Sequence, residues 1–139
     1  MKVLFTKEGE KLGYESAAHK NKYVFQDYSF DEGEWIYDFI WYEMSGFDDE
    51  IMTSVPLVLE SELSLKYYGN LKTDFDKLLI AKDSTKVFVT TSHDLERKSD
   101  YIQKAINNFN SFRIDEVFYL IIWDENDSGN FFLKEFIKN

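Results

Sequence analysis

Residues 86 to 123 hold the pattern that restricts the fold most. A β-branched run, Lys-Val-Phe-Val-Thr-Thr (86–91), precedes a stretch from Ser92 to about Phe112 with Leu95, Ile102, Ala105, Ile106 and Phe109 at helical spacing. Then comes Glu-Val-Phe-Tyr-Leu-Ile-Ile-Trp (116–123), which is apolar almost without interruption. A strand covered on both faces reads as such a run. Two strands joined through a long helix need a crossover connection, which is right-handed in a common sheet. The pattern predicts an α/β fold containing at least one parallel strand pair.

The remaining segments extend that sheet. Trp35 to Met44 is aromatic and β-branched and reads as a central strand, with Asp38 the one carboxylate on an otherwise apolar face. Val55 to Leu63 is a second strand, with Pro56 among its first residues. Thr73 to Lys82 reads as a helix capped by Thr73, and Gly69 to Thr73 as a polar loop. Ser92 caps the long helix, and Phe131 to Ile137 is a final edge strand. Upstream, a short helix around Glu8–Leu12 ends at Gly13; Tyr23 to Phe30 alternates weakly as a strand and turns at Asp31-Glu32-Gly33. The fold class is α/β, a mixed central sheet flanked by helices, in one domain spanning residues 1–139.

Composition narrows the function. The chain carries 16 Lys and Arg against 26 Asp and Glu, a net charge of −10, with no cysteine and two histidines. Disulfides and thiolate metal sites are excluded. No apolar run approaches the roughly 20 residues of a membrane span, and the N-terminal apolar stretch is too short for a signal peptide, so a soluble cytoplasmic protein without membrane association is expected. The oligomeric state is left open.

The carboxylates inside strands are the candidate site. An unpaired charge in an apolar strand costs several kcal/mol, so Asp38 must be paired, hydrogen-bonded or metal-bound. Glu60 and Glu62 are two apart and share a strand face. If the two strands are neighbours, three acids converge, and Mg²⁺, which prefers oxygen ligands, would relieve their repulsion. Lys77, on the next helix, is the base placed to reach back toward Glu62. An ion network with a purely structural role is the competing reading.

Asp38 in its aromatic strand, Glu60 in Leu-Val-Leu-Glu-Ser-Glu-Leu, the helix with Asp74-Phe75-Asp76-Lys77-Leu78-Leu79 and the strand Lys86-Val87-Phe88-Val89 together resemble the restriction-endonuclease-like, PD-(D/E)XK superfamily. They are most similar to a little-characterised bacterial branch with Glu-Ser-Glu followed by Asp-Phe-x-Lys-Leu-Leu, and Leu12-Gly13-Tyr14 suits the helix-to-strand connection of that group. The resemblance implies a restriction-endonuclease-like fold and Mg²⁺-dependent phosphodiester hydrolysis on nucleic acid. Asp38 and Glu60 would be the metal ligands. The family's lysine, two residues after the second acid, is replaced here by Glu62, and Lys77 would stand in for it; a catalytically degenerate relative is equally compatible with that departure. Glu15, ahead of the first strand, would be the additional acid that some members of the superfamily place on their first helix. The alternative is a non-catalytic acidic protein that binds a basic partner, in keeping with the net charge and with aromatics such as Tyr67, Tyr68, Phe131 and Phe132 near loops.

Overall fold

The computed structural model describes residues 1–18, 36–46, 51–63, 68–127 and 129–139. Their elements, in chain order, are α1 (Lys2–Lys11), β1 (Glu15–Ala18), β2 (Phe39–Met44), β3 (Met52–Glu62), α2 (Tyr68–Ile80), β4 (Thr85–Thr91), α3 (Leu95–Asn108), β5 (Val117–Trp123) and β6 (Phe131–Ile137). The six strands form one mixed sheet in sequence order, β1 to β6, so the chain has the α/β architecture expected of it. No described helix is long and apolar enough to cross a membrane. The chain divides into two compact units, 1–58 and 59–139, with the boundary inside β3. The predicted strand over 23–30 and its turn lie outside the described residues.

In residues 1–58, α1 ends where Gly13 adopts a φ of +84°, which a residue without Cβ takes freely. β1 runs antiparallel to β2, with Ser16 opposite Trp41 and Ala17 opposite Ile40. Trp41 fixes the helix to this pair. Its Nε1 donates to the Phe5 carbonyl at 2.8 Å, Phe5 and Tyr14 lie against its ring at 6.2 and 5.7 Å, and Gly9 leaves the space the indole fills. A Cβ on Gly9 would sit 2.5 Å from Nε1.

In residues 59–139, β4 and β5 are parallel, with Phe88 opposite Leu120, and α3 is the connection between them. The crossover read from residues 86–123 is therefore present. β5 and β6 are antiparallel across the 124–130 turn, where Asp124 N donates to the Asn130 carbonyl at 3.1 Å. Phe75 of α2 joins the layers: its ring packs against Phe88 at 6.5 Å, Phe118 at 5.0 Å and Tyr101 of α3 at 5.6 Å. Side chains alternate across a sheet. Phe88, Phe118 and Leu120 thus face the helices, whereas Val117, Tyr119, Ile121 and Trp123 point the other way.

Several boundaries differ from the sequence reading. α2 begins at Tyr68 rather than Thr73, and Gly69–Thr73 is helix rather than loop. Leu71, Phe75, Leu78 and Leu79 form one buried stripe, and burying Leu71 outweighs the poor helix propensity of Gly69 and Asn70. β2 begins at Phe39, because Ile36 is exposed and 36–38 form a bend. β3 starts earlier, at Met52, which leaves Pro56 inside the strand; Thr53 Oγ1 donates to the Glu43 carbonyl of β2 at 3.2 Å. α3 starts at Leu95 behind Asp94, a residue at φ +50°, because the Ser92 hydroxyl accepts from Glu125 N instead of capping the helix.

Candidate functional site

β3 places its acids by alternation. The stretch Leu57 to Glu60 is fully buried, and Glu60 is 2% exposed. A carboxylate so placed requires a counter-charge. It comes from the helix that follows: Lys77 Nζ stands 3.5 Å from Glu60 Oε1 and 2.9 Å from Asp74 Oδ1. Asp74 and Lys77 meet because residues three apart on a helix are neighbours. Burial alone would lower the Lys77 pKa, but the Asp74 hydrogen bond and the charges of Glu60 and Asp74 outweigh it and raise the ammonium above its ordinary range. The sequence pointed Lys77 toward Glu62; the ion pair in the structure is with Glu60, two residues earlier on the same face of β3.

Glu62, on the same face and half-buried, leads to a second lysine. Thr90 Oγ1 donates to the Glu62 carbonyl at 3.0 Å and accepts from Lys98 Nζ at 3.1 Å. Lys98 also donates to the Thr91 carbonyl at 3.0 Å and to its Oγ1 at 3.3 Å, and is 6% exposed. Burial lowers its pKa, offset in part by the negative charges of Glu125, Asp94 and Glu62. Glu125 Oε1 is buried without a hydrogen-bond partner. Sequence reasoning assigned Lys98 no role in the site. The available signal was its spacing: Leu95, Lys98, Ile102 and Ile106 lie on one stripe, so Lys98 faces inward with the apolar side chains.

Asp38 belongs to residues 1–58 and corrects one expectation. It lies half-buried on the bend before β2, not within a strand. A bend at a strand end leaves a carboxylate closer to water than mid-strand does, so the apolar side chains of β2 do not have to accommodate its charge. Glu15 is the exposed first residue of β1 and not part of a helix.

Mg²⁺ needs few protein donors; one or two carboxylates suffice, with water and phosphate oxygens completing the octahedron. Glu60 and Glu62, on one face of β3, match that donor set. Among the described residues no three His, Asp or Glu side chains gather closely enough for an all-protein metal site. Two cavities of about 340 and 320 Å³ share Asp83, Arg113 and Glu116 in their walls and include none of the β3 acids, Lys77 or Lys98. Arg113 is already engaged there, at 3.0 Å from Asp83 and 3.3 Å from Asp115. The chain matches no known protein family, and no curated protein or solved structure is similar to it.

Proposed function

We propose that the chain is a nuclease-like protein of restriction-endonuclease-like fold whose β3 acids serve Mg²⁺-dependent phosphodiester hydrolysis. The observation that carries this reading is Glu60, a carboxylate almost fully withdrawn from water yet held against Lys77. In this reading Glu60, with Glu62 on the same face of β3, would hold the ion. Bound Mg²⁺ polarises the phosphate and lowers the pKa of its water.

The chain's own residues do the rest. Asp74 holds the Lys77 ammonium over Glu60, and the raised pKa keeps it cationic at neutral pH, able to donate to a phosphate oxygen as negative charge develops. Lys98 fixes the end of β4 through Thr90 and Thr91, and so the backbone of β3 at Glu62.

The test is cleavage of supercoiled plasmid and of single-stranded RNA with Mg²⁺ or Mn²⁺. Glu60→Gln is expected to abolish cleavage, and Lys77→Met to lower kcat about 10²-fold, the loss seen when one preorganised donor is removed. Far-ultraviolet circular dichroism confirms that both variants fold. A wild-type protein inert on both substrates with either metal overturns the reading.

A further inference from the structure

The sheet face opposite α2 and α3 is unfinished at β5 and β6. On β6, Phe131, Leu133 and Ile137 are 51–63% exposed. Their partners across the ladder, Trp123, Ile121 and Val117, are half-buried, and Tyr119 opposite Glu135 is as well. A parallel strand such as β5 is ordinarily covered on both faces. Here Phe118 and Leu120 are fully buried on the helix side, whereas Val117, Tyr119, Ile121 and Trp123 on the other face are only half-buried. Single exposed apolar side chains are unremarkable, but a contiguous apolar face two strands wide marks an interaction site.

The charges on this surface say what covers it. Glu135 is the one ionic side chain within the apolar face, 2 residues from both Leu133 and Ile137. The turn at its end adds Asp124 and Asp127. Of the nearby bases, Lys134 lies over the Phe136 ring at 5.1 Å on the helix side, Lys138 donates to the carbonyls of Phe109 and Phe112 at 2.9 and 3.1 Å, and Arg113, which shares a cavity wall with Val117 and Tyr119, is paired with Asp83 and Asp115. The surface is apolar with an acidic centre and an acidic end.

We propose that this face docks a cationic amphipathic helix of a partner protein. Its apolar stripe would cover Tyr119, Ile121, Trp123, Phe131, Leu133 and Ile137, and a lysine or arginine at its flank would pair with Glu135. The two seven-residue strands are about 23 Å long, which a helix of about 15 residues spans. A second copy of this chain fits poorly. A two-fold pairing presents the same surface from both sides, so it sets acid against acid in molecules of net charge −10. The proposal is independent of the chemistry at Glu60.

The test is calorimetric titration at low salt with a synthetic amphipathic helix of leucine and lysine, with the leucine–glutamate peptide of the same pattern as control. The lysine peptide is expected to bind one to one, the glutamate peptide not at all. Leu133→Lys and Glu135→Lys are each expected to weaken binding about tenfold, as removing one good contact or reversing one complementary charge does. Both positions are exposed, so both variants fold, and Glu60→Gln binds like the wild type whether or not the chain cleaves nucleic acid. No binding of the lysine peptide, or equal binding of both peptides, overturns the proposal. So does a wild-type dimer in sedimentation that Leu133→Lys dissociates, because the face would then belong to a second copy.

Discussion

In residues 1–58 the helix is held to its strands by one indole, which fills the place of a missing Cβ at Gly9, stacks on Tyr14 and donates a single hydrogen bond. In residues 59–139 an aromatic cluster around Phe75 joins helices to strands, and charged side chains are buried alongside it: Glu60, Lys86 and Lys98. The difference is one of tolerance. Aromatic packing degrades by steps as shape is lost. A buried charge is stable only while its partner is present. The first region can absorb substitution; the second has positions where removing one atom group exposes a large desolvation cost.

The steepest test of that contrast is at Lys86. It is 1% exposed, forms an ion pair with Glu116, donates to the Ser84 carbonyl at 3.3 Å and lies 5.6 Å from the Phe112 ring centre. Glu116→Ala leaves the ammonium buried without its counter-charge, and urea unfolding should show a loss of about 3 kcal/mol. The double variant Lys86→Met, Glu116→Leu should recover most of it, because two apolar groups replace the pair. A loss below about 1 kcal/mol in the single variant would mean that Lys86 does not depend on Glu116 and would blur the comparison.

The matching test in the first region is Gly9→Ala. The new methyl group meets Trp41 Nε1 at 2.5 Å, so the indole must shift and its bond to Phe5 weakens. Overpacking of this kind costs about 1–3 kcal/mol, from which about 1 kcal/mol of improved helix propensity is subtracted. The net loss should be about 0–2 kcal/mol by the same measurement. With Trp41→Ala as background the clash is gone and Gly9→Ala should become neutral or stabilising. If the cost persists there, the indole is not what holds α1.

How far the sequence foretold these regions follows from what sets each feature. The parallel pair β4–β5 and its helix were legible because a buried strand has no polar residues to blur its pattern. The β3 acids and Lys77 were legible because a Glu-x-Glu in an apolar strand conflicts with its surroundings and a nearby base resolves the conflict. Asp38 was misplaced because aromatic residues on both sides carried the strand pattern across a bend; nothing local says that Ile36 is exposed. Lys86 and Lys98 were not singled out because a long side chain on an inward stripe is usually one that reaches water. Their burial is decided by Glu116 and by Thr90 and Thr91, partners 30, 8 and 7 positions away. The open face of β5 and β6 was equally out of reach, since a continuous apolar run says only that both faces are greasy, not that one lacks its cover.

The gentlest test separates two lysines of the second region by the sign of their pH dependence. Burial holds the Lys98 pKa below the ordinary 10.5, so between its folded value and 10.5 the unfolded chain binds more protons. Stability attributable to Lys98 therefore rises with pH across that window, and the cost of its buried charge is fully present below it. Lys77 is opposite: its pKa is raised above 10.5, its contribution is fully present below 10.5, and it is lost as pH rises through the folded value. Each effect is bounded by about 1.4 kcal/mol per pH unit, the limit for one proton, and Lys77 contributes less because its side chain is 35% exposed. Unfolding free energies from pH 8 to 11 should fall more steeply in Lys98→Met than in the wild type, and less steeply in Lys77→Met. Parallel curves for all three proteins would show that neither lysine is held by the partners assigned to it. Divergence for Lys98 alone would keep its burial but remove the Glu60–Lys77 contact on which the proposed chemistry depends.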